Sequence, residues 1–436
     1  MPAAETLKAR YYEMHRGPRT ASLICLVLAI VFLNTFARAF AEPVTFREDH
    51  TVLVGGRPFF PIGIYYTAEE FADRSGNLLA NLRDRGFNTV GCYSAGEQAV
   101  RDMQLASQNG LKVWVRGHNG LAVDSPKTAA AIEQQVEQLR AQPALLFWEF
   151  QDEPLLNKVP VDQSAKGQQI VKRLDPHHPI LTVEWPGSAS RLSEWRELGD
   201  IYGTDLYPIP REQGYGALPN KDITQMRDYL NLIRQVRGNR PMMLVLQAWN
   251  WYPLKYGKHG HPTVPESRFM AYQSVIHGAT ALFYYGQVHC TRPNSAAGLS
   301  SDAADPGVRE AEFRKCVELN DGFWNEHRDF FRQLRDAARI FVLKDSADAE
   351  RIKVAEGPAV IETRTKRGPT GVYVLAVNAS EKKQQCSFRM PAQLRGPTMH
   401  VLFESRNVPV KSGTFADTFE PYGVHVYSTT ASLPSE

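Results

Sequence analysis

Cysteine is scarce in this sequence, with five in 436 residues. No C-x-x-C spacing occurs among them, which excludes a zinc ribbon and a dithiol redox centre. Net charge is scarce as well. The formal value is +3, from 50 Lys+Arg and 47 Asp+Glu, and the surplus is confined to the N-terminal segment. Residues 1–41 hold five basic side chains (Lys8, Arg10, Arg16, Arg19, Arg38) and two acids (Glu5, Glu13), so the remainder has 45 of each sign. Without a basic field there is nothing to attract nucleic acid or anionic lipid.

Long apolar runs are missing too. The run Leu23 to Leu33 (LICLVLAIVFL) has 11 residues, against the roughly 20 that span a bilayer as a helix. Arg16 and Arg19 precede it, and Ala39-Phe40-Ala41 follows as a small-x-small cleavage site. That layout predicts a signal peptide over residues 1–41, a secreted or periplasmic protein and no stable membrane span after cleavage. An uncleaved N-terminal anchor is the competing reading. Cys25 leaves with the leader. Cys290 and Cys316 flank a Gly/Ser/Ala/Asp-rich stretch that a disulfide would staple in an oxidising compartment. Cys92 and Cys386 sit in strand-like runs and read as buried thiols.

What the chain does have is alternation. Eight short apolar runs recur from Phe59 onward: FFPIGIYY (59–66), NTVGCY (88–93), LKVWVRG (111–117), LLFWEF (145–150), ILTVEW (180–185), DIYGTDLY (200–207), MMLVLQAW (242–249) and ALFYYG (281–286). Helix-period segments separate them, for example Leu78, Leu79 and Leu82, or Ile132, Val136 and Leu139. Such repeats predict βαβ units, and eight of them predict an α/β fold closed as a (β/α)8 TIM barrel. No G-x-G-x-x-G follows an early run, which argues against a doubly wound dinucleotide fold. We expect the barrel over residues 42–339, with a last helix near Asp321 to Arg339. A strand pair (VTFRED, VLVGGRP) would cover its N-terminal opening. The pattern then changes to period-two strands with Gly/Asn turns, predicting a small antiparallel β-sandwich over residues 340–436.

The two ends of the barrel runs differ. Entry points hold ordinary turn residues, such as Arg85-Gly86 and Asn109-Gly110. Exit points collect Tyr65, Tyr93, His118, Asn119, Asp152, Glu153, Glu184, Trp185, Asp205, Tyr207, Gln247, Trp249 and Tyr285. In a barrel these converge on the rim where active sites lie. The fourth run ends LLFWEFQDEP, and Glu153, beside the like charge of Asp152, has the makings of a general acid. A helix cap, with Asp152 or Glu153 as N-cap and Pro154 just inside, explains the same residues structurally. His259 and His261, and His289 beside Cys290, lack clustered carboxylates, so neither a metal site nor a cofactor is expected. Asn378-Ala379-Ser380 matches a glycosylation sequon.

The run Trp148-Glu149-Phe150-Gln151-Asp152-Glu153-Pro154 resembles the W-E-x-x-N-E-P stretch of clan A glycoside hydrolases. Asp205 to Pro208 is similar to their sixth-strand D-x-Y-P segment. Arg268 to Gly278 with Phe283 to Gly286 is similar to the approach to their eighth strand. The resemblance implies Glu153 as acid/base in an O-glycoside hydrolase acting on an oligo- or polysaccharide. Two departures accompany it. Gln247 stands where the family's strand-seven nucleophile would be, and Asp152 replaces the family Asn. An adjacent Asp-Glu pair instead resembles hexosaminidase-type families, in which the sugar's own acetamido oxygen attacks while an Asp orients it. Retention or inversion using Glu184 or Asp205 stays open. Tyr65, Tyr93, Trp185, Trp249, Trp251 and Tyr285 are candidate sugar-stacking aromatics. His118, Asn119, Tyr207 and Gln247 are candidate polar contacts. A carbohydrate-binding barrel without catalysis, suggested by Gln247, is the principal alternative; a lyase or epimerase is the third. The expected partner is carbohydrate, and no sequence feature fixes an oligomeric state.

Overall fold

A computed structural model describes residues 41–65, 67–210, 218–250, 253–286, 306–394 and 396–435. Residues 1–40 of the expected leader, Trp251, His289 and Cys290 lie outside the described residues. Among the described residues, no helix is long and apolar enough to cross a membrane.

Three short antiparallel strands open the fold: β1 (Val44–Phe46), β2 (Val52–Val54) and β3 (Arg57–Phe59). The expected pair is thus a triplet, because the VLVGGRP segment folds back at Gly55-Gly56 and pairs Val54 with Arg57, giving two strands instead of one. Eight parallel strands follow: β4 (Ile62–Ile64), β5 (Thr89–Cys92), β6 (Lys112–Arg116), β7 (Leu145–Glu149), β8 (Ile180–Glu184), β9 (Ile201–Leu206), β10 (Met242–Gln247) and β11 (Ala279–Tyr285). They close in chain order, β11 pairing with β4 through Leu282–Ile62 and Tyr284–Ile64.

The period of two sorts their side chains. Trp114, Leu181, Val183, Ile201, Met243, Val245, Ala281 and Phe283 point inward and form one cluster with Val44, Val52 and Val54 of the N-terminal triplet. Val113, Val115, Leu244, Leu246, Leu282 and Tyr284 point outward to the helices. Inside, Trp114 stacks on Phe283 at 4.3 Å. Two glycines make that stack possible: a Cβ on Gly63 would stand 2.5 Å from the Phe283 ring, and one on Gly91 2.7 Å from Trp114. Each such ring removes roughly 150–250 Å2 from water, on the order of 4–6 kcal/mol. The barrel axis is therefore filled, and a ligand is confined to the C-terminal rim.

The expected last helix near Asp321 to Arg339 falls on two: the end of helix Pro306–Glu326 and the closing helix Arg328–Phe341. The latter buries Phe330, Phe331, Leu334, Ala337, Ile340 and Phe341. Its backbone approaches Gly86 so closely that a Cβ there would lie 2.2 Å from the Phe331 carbonyl oxygen. Cys316 on the preceding helix is disulfide-bonded, whereas Cys92 and Cys386 are buried free thiols.

The C-terminal part holds β12 (Lys344–Asp345), β13 (Lys353–Glu356), β14 (Ile361–Arg367), β15 (Val372–Asn378), β16 (Gln384–Arg389), β17 (Thr398–Leu402), β18 (Arg406–Pro409), β19 (Thr414–Phe419) and β20 (Val424–Ser428). One antiparallel sheet, β12-β14-β15-β20-β17-β18, packs on a second, β13-β16-β19, through Val374, Phe388, Phe415 and Tyr427. The Glu362 carboxylate joins sandwich to barrel, accepting from Arg227 at 2.6 Å and Gln273 at 3.0 Å and meeting His277 at 2.9 Å. Asn378 of the sequon is fully buried, its amide donating to the Lys382 and Glu420 carbonyls at 2.7 and 3.0 Å. No glycan has room there.

Candidate active site

Strand register brings the polar residues together. The ladder sets Arg116 at the end of β6 beside Glu149 at the end of β7. There the Arg116 Nε donates to Glu149 Oε2 at 3.4 Å, and Tyr65, just past β4, donates its hydroxyl to Glu149 Oε1 at 3.1 Å. Arg116 also reaches Asp152 at 3.5 Å and lies 4.9 Å over the Tyr93 ring. One guanidinium thus bridges two carboxyls. Burial pushes Glu149 up to about 7; Arg116 opposes this and the charge of Asp152 adds to it. Burial also raises Asp152, with Arg116 in opposition.

Glu153 occupies a left-handed backbone conformation, φ 50°. Such a conformation costs a non-glycine residue roughly 1–2 kcal/mol, so its surroundings must hold it. The Glu153 N–H donates to the Val183 carbonyl at 3.1 Å. Asn157 caps the turn from the other side, its amide donating to the Asp152 and Glu153 carbonyls at 2.6 and 3.2 Å. Glu184, fully buried at the end of β8, accepts from the Leu155 N–H at 2.7 Å. The backbone cap foreseen for Asp152 or Glu153 is supplied by Glu184 instead.

So held, the Glu153 carboxyl hydrogen-bonds to that of Asp205 on β9. Burial, then the charge of Asp152, raises Glu153 to about 7. Burial, then the charges of Glu153 and Asp152, raises Asp205 well above the carboxylate range. Two carboxyls at hydrogen-bond distance, one buried and one half-buried, resist ionising together, so the pair keeps a proton at neutral pH.

The expected rim residues separate into groups. Tyr207, Trp249 and Tyr285 form an aromatic trio, with ring centroids 5.5 to 5.7 Å apart. The half-buried Trp185 ring lies against Gly187, where a Cβ would come within 2.0 Å of it. His118 and Asn119 are exposed in a short 3-10 turn, and the Asn119 amide donates to the Ala122 carbonyl at 2.8 Å. Gln247 faces protein backbone: its Oε1 accepts from Ile209 N at 2.9 Å, while its Nε2 donates to the Ile209 and Trp249 carbonyls at 2.5 and 2.9 Å. The amide is fully buried and its hydrogen-bonding capacity is used internally. A cavity of about 580 Å3 abuts Ile209 and Pro210 and is lined beyond them by Lys258, His259, Glu318 and Glu326. Among the described residues, no group of three or more His, Cys, Asp or Glu is arranged to hold a metal ion.

Glu149 and Arg116 belong to this site and were not among the rim candidates. Their signal was present: a charged residue at the inward-facing position of two neighbouring strands.

No family model matches the sequence, and no curated protein is significantly similar to it. Solved structures do match in fold. AmyP in complex with maltose superposes with a TM-score of 0.56 at 11% identity, over 86% of this chain and 97% of that one. A glycoside hydrolase family 5 structure from Bacteroides vulgatus ATCC 8482 has a TM-score of 0.56 at 15% identity, over 88% and 93%. A third, described as a glycoside hydrolase, gives 0.56 at 15%, over 89% and 96%. The fold, a closed eight-stranded parallel barrel followed by an antiparallel β-sandwich, is the one shared with these glycoside hydrolase structures.

Proposed function

We propose that this protein is a secreted or periplasmic O-glycoside hydrolase acting on an oligo- or polysaccharide, with Glu153 as general acid/base. The observation that carries the reading is the hydrogen-bonded Glu153–Asp205 pair on an aromatic-lined barrel rim. A carboxyl held protonated near neutrality is what a glycosidic oxygen needs as it leaves. A neighbour of the same fold holds maltose, which supports a sugar ligand. The disulfide at Cys316 fits the exported compartment expected from the leader.

The same pair bears on the mechanism. Hydrogen-bonded carboxyls are closer than the roughly 5–5.5 Å of retaining pairs and the roughly 6.5–9.5 Å of inverting ones. Gln247 offers no carboxylate, and Glu184 is engaged with Leu155 N. These facts favour attack from the substrate itself. In this reading a 2-acetamido oxygen bonds to C1 as the C1–O bond breaks, and Glu153 gives its proton to the leaving oxygen. The ionised Glu153 then takes a proton from water, whose oxygen bonds to C1 and reopens the ring. Asp152, pinned by Arg116, orients the acetamide, and Asp205 holds the Glu153 carboxyl in place.

The test is Glu153→Gln assayed on aryl glycosides with and without a 2-acetamido group. We expect turnover of the acetamido substrate alone by the wild type, and its loss in the variant with binding intact. Wild-type-like turnover by the variant removes Glu153 from the chemistry. The second reading, a carbohydrate-binding barrel without catalysis, is favoured by the internal engagement of Gln247. Calorimetric binding of sugars with no hydrolysis across a broad screen would select it.

A further inference from the structure

A second site lies at the other end of the molecule, between barrel and sandwich. A cleft of about 850 Å3 opens where the start of β11 faces β13 and β14. Arg234, Arg351, Lys353 and Arg364 line it, with Asp345 as the one carboxylate on its wall. That carboxylate is already committed. It receives Arg364 in a two-pronged contact at 2.8 and 2.9 Å and Lys366 at 3.0 Å. Arg351 pairs with Asp348 at 2.8 Å. Arg234 donates only to neutral acceptors, Asn231 Oδ1 at 2.9 Å and the His277 carbonyl at 2.6 Å. Neither Arg234 nor Lys353 has an ion pair among the described residues. Burial, and then the like charge of Arg364, disfavours the charged form of Arg234. Thr363 and Thr365 add hydroxyls to the same wall.

A concave surface with several cations and one spent carboxylate is short of negative charge. Arg364 and Arg351 are held by Asp345 and Asp348, but packing alone gives no reason to place Arg234 and Lys353 on the same open cleft with no ion pair among the described residues, since like charges there cost stability. Guanidinium groups bind oxyanions through paired N–H donors, and ammonium and hydroxyl groups complete such a shell.

We propose that this cleft is a binding site for a multi-oxygen anion, with Arg234 and Lys353 as its principal cations. The ligand class is an oxyanion, either free phosphate or sulfate or the carboxylate of an acidic sugar chain. The site lies on the barrel face opposite the candidate active site, so the proposal stands whether or not the chain is a glycosidase.

The test uses the full-length protein in a thermal-shift and calorimetric titration. Inorganic phosphate and sulfate form one arm, acidic oligogalacturonides a second, and sodium chloride at matched ionic strength the control. We expect saturable stabilisation beyond the chloride control, with affinity at least tenfold weaker in Arg234→Gln and in Lys353→Gln. Lys353 is exposed, so its variant tests the site without threatening the fold. Response to phosphate and sulfate alone assigns the site to free anions; response to the oligogalacturonides assigns it to acidic sugars. A shift no larger than that of chloride, or equal affinity in wild type and both variants, overturns the proposal.

Discussion

Glu149 gives the sharpest quantitative handle on the buried acids. It is 1% exposed and titrates at about 7, against 4.5 for an unperturbed glutamate. At about 1.36 kcal/mol per unit, the difference is worth on the order of 3 kcal/mol. Its sign follows from the direction of the shift. The folded chain binds this proton more tightly than the unfolded chain, so the contribution is complete below about pH 4.5 and is lost as pH rises through about 7. Glu149→Gln has no proton to lose. It keeps an acceptor for the Tyr65 hydroxyl while giving up the charge that faces Arg116, a loss that acts as an offset. Urea unfolding of both proteins at pH 5 and pH 8.5 isolates the effect. We expect the wild type to lose on the order of 2–3 kcal/mol relative to the variant between those two values. A difference that does not change with pH, or that moves in favour of the wild type, would refute the idea that this carboxyl folds into the barrel carrying its proton.

Other expectations follow from single contacts. Glu184→Ala leaves the Leu155 N–H without its buried acceptor, costing about 1–3 kcal/mol, and should lower kcat more than it changes KM, because the turn bearing Glu153 loosens. Glu184→Gln, which retains an acceptor, should restore most of kcat. Gln247→Glu would turn an oxygen toward the Ile209 and Trp249 carbonyls that the amide now serves. We expect a loss of roughly 2–4 kcal/mol in a thermal or denaturant melt and no gain in turnover; enhanced turnover would show that strand seven can supply a nucleophile after all. Asp152→Asn removes the charge that helps hold Glu153 up, so the alkaline limb of kcat/KM should move to lower pH by about one unit. An unmoved limb would exclude Asp152 as a tuning group.

The barrel was legible because each interior strand leaves a short apolar run with a polar exit, and all eight runs correspond to observed strands. Polar or short strands were not: KVAE, RNVP and TFADTF carry too little periodic apolar signal to be read as β13, β18 and β19. Within the site, Glu153, Asp152 and Asp205 could be named from rim position alone. Their pairing could not, because it depends on the left-handed turn at Glu153 and on the distance across from β7 to β9. Gln247 shows the opposite failure. Its position on the rim suggested sugar binding, but its partner, Ile209, lies 38 residues away in the chain. Arg116 and Glu149 went unnamed for a similar reason: only the register of β6 against β7 sets the two side by side.

A proton shared between Glu153 and Asp205 is central to the proposed chemistry, and infrared difference spectroscopy reads that proton without knowledge of the substrate. Spectra of the wild type, Glu153→Gln and Asp205→Asn recorded near neutral pH should differ in a protonated-carboxyl C=O band, present in the wild type and lost or displaced in each variant. A wild-type spectrum with no such band at neutral pH, or one unaltered by either substitution, would contradict that chemistry.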